Sequence, residues 1–231
     1  MLIHGLQKMT LLDYPGYVAC TVFLNGCDFR CPYCHNFELV DGTAKPLMED
    51  EEFFAFLGKR KGLLDGVCIS GGEPLLHKDI DVFIRKIREM GFKVKLDTNG
   101  YHPDMLKALI DEGLLDYIAM DIKNSFAKYP ITTGTPDIDT SIIKNSISII
   151  MNSGVDYEFR TTVVGGLHSE NDFEQMGEAL QGAKGYFLQQ FTMRDTVPDS
   201  TLYSPSADDL GNYLKIARKH VDSAQLRGVL D

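Results

Sequence analysis

Gly66-Val67-Cys68-Ile69-Ser70-Gly71-Gly72-Glu73-Pro74 is the stretch from which the fold is read. Residues 66–70 are short, apolar and barely alternating, as in a strand buried on both faces. The run then breaks into glycine, an acid and proline. Past the break, Ile80, Phe83, Ile84 and Ile87 recur at helical spacing, with charges on the opposite face. Outward in both directions the same alternation repeats. Further strands are expected at residues 17–24, 93–97, 117–121, 157–163 and 185–189, and helices at 48–59, 140–151 and 171–181. Pro103 suits a first helical position ahead of Leu106, Leu109 and Ile110, and Gly113 suits the end of that helix. Ser206 and Asp209 form a capping-box pattern ahead of Leu210, Tyr213, Leu214 and Ala217. Six βα units with right-handed crossovers make an α/β chain with a parallel sheet. Periodicity leaves open whether the sheet curls into a partial barrel or stays flat and doubly wound.

Either architecture puts the ligand site at the carboxyl ends of the strands, and the polar residues gather there. Ser70 to Pro74 follows one strand and Asp97-Thr98-Asn99-Gly100 the next. Asp121-Ile122-Lys123, then His168 with Glu170, then Gln189-Gln190 follow the remaining ones.

The chain has 231 residues, with 33 acidic and 23 basic side chains and a net charge of -10. That length suits one domain, expected to span residues 1–231. An acidic chain is a poor match for a phosphate backbone, so no nucleic-acid partner is expected. No apolar run approaches the ~20 residues needed to span a bilayer, and the first residues do not read as a signal peptide. A soluble, cytoplasmic protein with no membrane partner is the expectation.

Five cysteines are present, and three fall in Gly26-Cys27-Asp28-Phe29-Arg30-Cys31-Pro32-Tyr33-Cys34-His35-Asn36. The spacing is C-x3-C-x2-C. Without a secretion signal, such a cluster reads as a metal site rather than disulfides. Thiolates suit iron–sulfur clusters and zinc. Three cysteines on a cubane leave one iron without a protein ligand, free to bind a substrate. Zinc would need His35 as fourth ligand, directly beside Cys34, in a site that is normally closed. The Cys31-Pro32-Tyr33-Cys34-His35 run also matches covalent haem attachment, but that leaves Cys27 without a role.

The loop at residues 26–36, with aromatic Tyr33 inside the motif, resembles the signature of the radical S-adenosylmethionine (SAM) superfamily. Gly71-Gly72-Glu73-Pro74 resembles that superfamily's second motif. The resemblance implies a partial (β/α)6 TIM-type barrel. It implies a [4Fe–4S] cluster on Cys27, Cys31 and Cys34, with SAM chelating the open iron. Gly71, Gly72 and Glu73 would then receive the SAM amino group. Asp13-Tyr14-Pro15-Gly16, Cys34-His35-Asn36, Leu63 to Gly66, Asp97 to Gly100 and Met120 to Lys123 narrow the likeness further. They resemble the glycyl-radical enzyme activating enzymes, above all the anaerobic ribonucleoside-triphosphate reductase activating proteins, with the pyruvate formate-lyase activating enzymes as near relatives. Tyr14 is a departure, since many activases carry Asp-Gly-Pro-Gly there. The implied chemistry is one-electron cleavage of SAM to a 5′-deoxyadenosyl radical, fed by flavodoxin or ferredoxin, which abstracts a Cα hydrogen from a glycine of a partner enzyme. A small-molecule enzyme of the 7-carboxy-7-deazaguanine synthase type is the alternative.

Several single residues carry two readings. Asp97 and Asp121 end neighbouring strands. Asp97 suits a ribose hydroxyl and the pair a small cation near SAM, while plain helix capping is the structural option. Lys123 suits the SAM carboxylate or a surface position. Arg160 lies in an apolar strand, so it must be paired or line a cavity, with SAM or a carboxylate such as Glu158 as partner. His168, in a glycine-rich strand-end loop, is expected at SAM or simply exposed. His35 is read as tuning the cluster or as structural. Cys20 and Cys68, mid-strand, are expected to be buried and inert. Residues 124–137 have little periodicity and read as a mobile lid, a partner-docking loop or an ordinary surface loop.

Overall fold

The computed structural model describes residues 1–228, so the last three residues of the expected 1–231 domain lie outside the described residues. In chain order the strands are β1 (Leu2–Ile3), β2 (Gly5–Thr10), β3 (Ala19–Leu24), β4 (Met48–Glu49), β5 (Gly66–Gly71), β6 (Lys93–Thr98), β7 (Tyr117–Asp121), β8 (Asp156–Val163), β9 (Tyr186–Gln190) and β10 (Gln225–Arg227). The helices are α1 (Phe37–Asp41), α2 (Asp50–Gly58), α3 (Ile80–Glu89), α4 (Pro103–Asp111), α5 (Tyr129–Thr133), α6 (Thr140–Met151), α7 (Glu170–Ala179) and α8 (Ala207–Ala217). One sheet runs in the order β10-β9-β8-β7-β6-β5-β3-β2, and β1 with β4 makes a separate antiparallel pair. Every neighbouring pair from β3 to β10 is parallel, and β2 alone runs antiparallel on its edge.

The sheet curls into a partial TIM-type barrel. Side chains from strands that are not neighbours meet inside it: Arg160 on β8 reaches Asp97 on β6, and Arg227 on β10 grips Glu158 on β8 through two bonds of 2.7 and 2.8 Å. Helices cover the outer face. Ile80, Phe83, Ile84 and Ile87 of α3 are all buried, as their spacing predicts. The capping box of Ser206 and Asp209 opens α8, and a second one, Ser169 with Asp172, opens α7. Pro103 stands first in α4, and Gly113 just past its end has φ +66°. Among the described residues no helix is long and apolar enough to cross a membrane.

Three differences from the sequence reading stand out. The helix expected from residue 48 starts at Asp50, at an acidic run that favours a helix N-terminus, and Met48–Glu49 pairs with β1 instead. Two edge strands, β2 and β10, extend the six expected strands. The segment at residues 124–137, expected without regular structure, is partly helical and partly buried. It forms a 3-10 turn (Phe126–Lys128) and α5, with Asn124, Ser125, Tyr129, Thr132 and Thr133 buried. The Asn124 amide donates to Thr132 Oγ1 at 3.0 Å and to the Leu167 carbonyl at 3.2 Å, pinning the segment to the barrel.

Candidate active site

The cysteine loop leaves β3 through Gly26 at φ +83°. Backbone contacts hold it on three sides. Gly72 N donates to Leu24 O at 2.9 Å, and Glu73 N to Gly26 O at 2.7 Å, from the β5 side. Arg30 N donates to Thr133 O at 2.7 Å, at the end of α5. Asp199 N donates to Pro32 O at 3.1 Å, and His35 Nε2 bonds Thr192 O at 2.7 Å with its ring stacked on Phe191. Cys27, Cys31 and Cys34 are free thiols that line one cavity of about 260 Å³. Burial pushes the Cys27 thiol up to about 11 and Cys31 to about 12, and it raises Cys34 as well. Thiols in such a pocket become thiolates only against strong positive charge, such as that of bound iron.

The donor set fits a [4Fe–4S] cluster: three soft thiolates on one short loop, opening onto a shared space. A mononuclear metal needs ligands that converge on one point. Among the described residues no three His, Cys, Asp or Glu side chains do so.

Across the cavity, the ends of β6, β7 and β8 build a charged ring. Arg160 sets one amino group 3.3 Å from Asp97 and the other 2.9 Å from Asp121. Lys123 Nζ lies 2.9 Å from Asp121 Oδ2, and Lys95, itself buried, is paired with Asp97. Ser70 Oγ donates to Asp97 at 3.1 Å. The cations hold both carboxyls below the usual range, against the opposing pull of burial. Asp97, Asp121, Lys123 and Arg160 all line the cavity of the three cysteines. The small cation expected between Asp97 and Asp121 is a reading the structure corrects: the guanidinium of Arg160 occupies that position. Arg160 pairs with these aspartates, and Glu158 is taken by Arg227.

A model of the radical SAM superfamily matches residues 21–180. The chain belongs to the radical SAM superfamily. It is 35% identical over 99% of its length to a Methanocaldococcus jannaschii protein named among the glycyl-radical enzyme activating enzymes, covering 96% of that relative. It is 31% identical over 60% of its length to 7-carboxy-7-deazaguanine synthase of Bacillus subtilis, covering 59% of it. Among solved structures, SuiB of Streptococcus suis with its precursor peptide SuiA superposes with a TM-score of 0.71 at 12% identity, over 90% of this chain and 48% of that one. That likeness is one of fold.

Against this radical SAM frame, the remaining expected residues divide. Gly71 and Gly72 line the cavity, packed against the end of β3 and the start of the cysteine loop, and Tyr33 lines it with its ring nearly perpendicular to that of Phe191. The Tyr33 hydroxyl is buried without a partner among the described residues. Glu73 does not face the cavity. Its fully buried carboxylate accepts from Leu75 N at 3.0 Å, Thr98 Oγ1 at 2.9 Å and Asn99 N at 2.6 Å, so it ties the β5 loop to the β6 loop from behind the cavity wall. Burial lifts its pKa to about 7. His168 is likewise corrected. It is buried, its Nδ1 accepts from Val164 N at 3.1 Å, and its Nε2 donates to Lys123 O at 2.9 Å. It therefore supports the backbone under Lys123 from behind. Cys20 and Cys68 are fully buried, as expected.

Two site residues escaped the sequence reading. Lys95 is a charge inside an apolar strand, two positions before Asp97, and the argument applied to Arg160 would have found it. Asn99 lies within a quoted motif but was given no role. It sits on the cavity wall beside Cys27.

Proposed function

We propose that this chain is a glycyl-radical enzyme activase whose protein substrate is an anaerobic ribonucleoside-triphosphate reductase. The observation that carries the reading is that three thiols of one loop and the charged ends of β6, β7 and β8 line a single cavity. A full-length relative named as an activase supports it over the deazaguanine synthase type, whose likeness stops at 60% of the chain. A [4Fe–4S] cluster held by these cysteines would supply, from an external one-electron donor, the reduction that splits SAM into methionine and a 5′-deoxyadenosyl radical, and that radical would take a hydrogen atom from a glycine of the partner.

The protein's own residues bind and orient. Cys27, Cys31 and Cys34 hold the iron. Gly71 and Gly72 offer bare backbone where a ligand amino group must come close. Lys123 and Arg160 line the cavity, and although paired with Asp121 and Asp97 they are the cationic groups placed to meet the methionine carboxylate. Tyr33 lines the same cavity, with its hydroxyl buried behind the wall. Residues 1–231 act as one catalytic domain, working in the reducing cytoplasm with flavodoxin or ferredoxin as donor, in keeping with five free cysteines.

The test is anaerobic. Protein reconstituted with iron and sulfide is reduced, given SAM, and assayed for 5′-deoxyadenosine, with Cys31→Ala alongside. A glycyl-radical EPR signal on added reductase supports the proposal. Deoxyadenosine without that signal across a panel of glycyl-radical enzymes removes the activase reading and keeps the SAM chemistry.

A further inference from the structure

Asn99 is held in one orientation from every side. Its backbone N–H donates to Glu73 Oε2 at 2.6 Å. Its side-chain Oδ1 accepts from Tyr101 N at 2.8 Å. A backbone N–H cannot donate to an amide nitrogen, so this bond settles which end of the amide is which. The NH2 end is left facing Cys27, with Nδ2 3.7 Å from Sγ, within reach of a sulfur acceptor. The same sulfur accepts from Phe29 N at 3.4 Å. Asn99 is buried, so this donor is poorly screened by water. The next residue, Gly100, at φ +78°, is anchored through its carbonyl to Ser146 Oγ at 2.6 Å.

We infer that Asn99 is a positioning residue that raises the reduction potential of the cluster by donating its amide hydrogen to Cys27. The inference rests on the reading that Cys27, Cys31 and Cys34 carry a [4Fe–4S] cluster. Its physical basis is direct. Reduction adds negative charge that spreads onto the ligating sulfurs, and an N–H dipole aimed at one of them favours the reduced state. Glu73 acts one step further out, since its carboxylate fixes the backbone from which the amide reaches. The buried carboxylate of the second glycine motif thus serves the cysteine loop through Asn99.

Two variants separate the amide from the turn it caps. Asn99→Ser keeps a side-chain oxygen able to accept from the N–H two residues on, but its hydroxyl is too short to reach the sulfur. Asn99→Ala removes both contacts. Each is reconstituted, its iron and sulfide are quantified, and the midpoint potential is measured by EPR-monitored titration without SAM. Omitting SAM excludes any effect of Asn99 on nucleotide binding. At the wild-type midpoint, both variants are expected to show a reduced-to-oxidised ratio lower by about three- to tenfold, where tenfold is about 59 mV for a one-electron couple. A potential unchanged in both cluster-bearing variants overturns the inference and leaves the cluster reading intact. Loss of the cluster from both variants also overturns it, because Asn99 would then serve loop assembly. Failure of the wild-type chain to hold a cluster removes both readings together.

Discussion

Gly72 and Gly26 approach so closely that a Cβ built on Gly72 would lie 1.9 Å from the Gly26 carbonyl oxygen. This contact joins the two motifs that define the site. Gly72 of the second motif thus makes room for the cysteine loop, and Gly71 for the strand end that leads into it. Gly71 repeats the pattern, at φ +128° and with its Cβ position 2.1 Å from Leu24 O. Gly72→Ala must push backbone against backbone, at a cost of about 1–3 kcal/mol. The strain falls on the loop, so we expect iron affinity to drop about tenfold or more while far-UV circular dichroism stays native. Gly211→Ala, in α8 with open space around it, is the control and is expected to be neutral or slightly stabilising. Equal iron binding by both variants would remove the loop-packing argument.

The five cysteines should behave as two classes. Cys20 and Cys68 are fully buried in strands, and desolvation pushes the Cys20 thiol up to about 12. Alkylation of the iron-free protein under native conditions is expected to label Cys27 and Cys34, which are partly exposed, and to spare Cys20 and Cys68. Serine at position 27, 31 or 34 should abolish cluster content, whereas Cys68→Ala should keep it. Mass-spectrometric mapping of the labelled peptides checks the first point and iron analysis the second.

How much of this was legible depends on what each residue type can signal alone. The ends of β7 and α6 were read to the residue, because Asp121 and Met151 coincide with sharp changes in pattern. Arg160 was legible as a buried charge because it interrupts an apolar strand, although the sequence left its partner open between SAM and a carboxylate such as Glu158. The edge strand β2 was not, because Gly5-Leu6-Gln7-Lys8-Met9-Thr10 carries no continuous apolar run and half faces solvent. β10 has three residues, too short for any period. Glu73 and His168 were misplaced for a different reason. Sequence shows that a polar side chain stands at a strand end, but not which way it turns there. Both turn inward to satisfy backbone N–H groups, a demand invisible until the loops are built. The order of residues 124–137 was hidden likewise, since Asn124 and Thr132 find each other only in three dimensions.

Arg160 is expected to be the most costly of the ring residues to remove. Arg160→Leu leaves Asp97 and Asp121 facing each other with only the lysines as partners. Removing one partner of a buried ion pair costs about 3–5 kcal/mol, and the partial exposure of Asp121 brings the expectation to about 2–3 kcal/mol at neutral pH. The pH dependence has a definite sign. Both carboxyls lie below their unfolded value, so their stabilisation is present above about pH 4 and is lost as pH falls through the folded values. Without the guanidinium the folded values rise, and acid unfolding should begin at higher pH. Urea melts between pH 3 and 7 would show this, and superimposable acid limbs would contradict it.

His168 gives the opposite kind of titration. Burial lowers its pKa, and its Nδ1 is already accepting from Val164 N, so protonation would break a buried hydrogen bond. The unfolded chain binds the proton near pH 6.5, and the folded chain does not. Stability therefore holds above that value and falls as pH drops below it, with a slope of at most about 1.4 kcal/mol per pH unit. His168→Gln should flatten this component between pH 6.5 and 5, at some constant cost in stability. An unchanged slope in the variant would place the titration elsewhere.

Tyr14, the departure from the usual activase pattern, has a structural partner of its own. Its ring is almost fully buried beneath the barrel, and a Cβ on Gly66 would lie 2.9 Å from its Cε1 and 3.0 Å from Lys93 O. Tyr17 and Tyr117 flank it, with ring centroids at 4.9 and 6.0 Å. Tyr14 thus plugs the floor of the barrel, at the end opposite the cysteines, and Gly66 is the recess that admits it. Gly66→Ala should destabilise by about 1–3 kcal/mol through overpacking. Tyr14→Ala should cost about 3–5 kcal/mol through the cavity it leaves. Because the two clash with each other, the double variant should be less destabilised than the sum, by about 1 kcal/mol or more. Strict additivity in chemical denaturation would mean that Lys93 O, and not Tyr14, is what excludes a side chain at position 66.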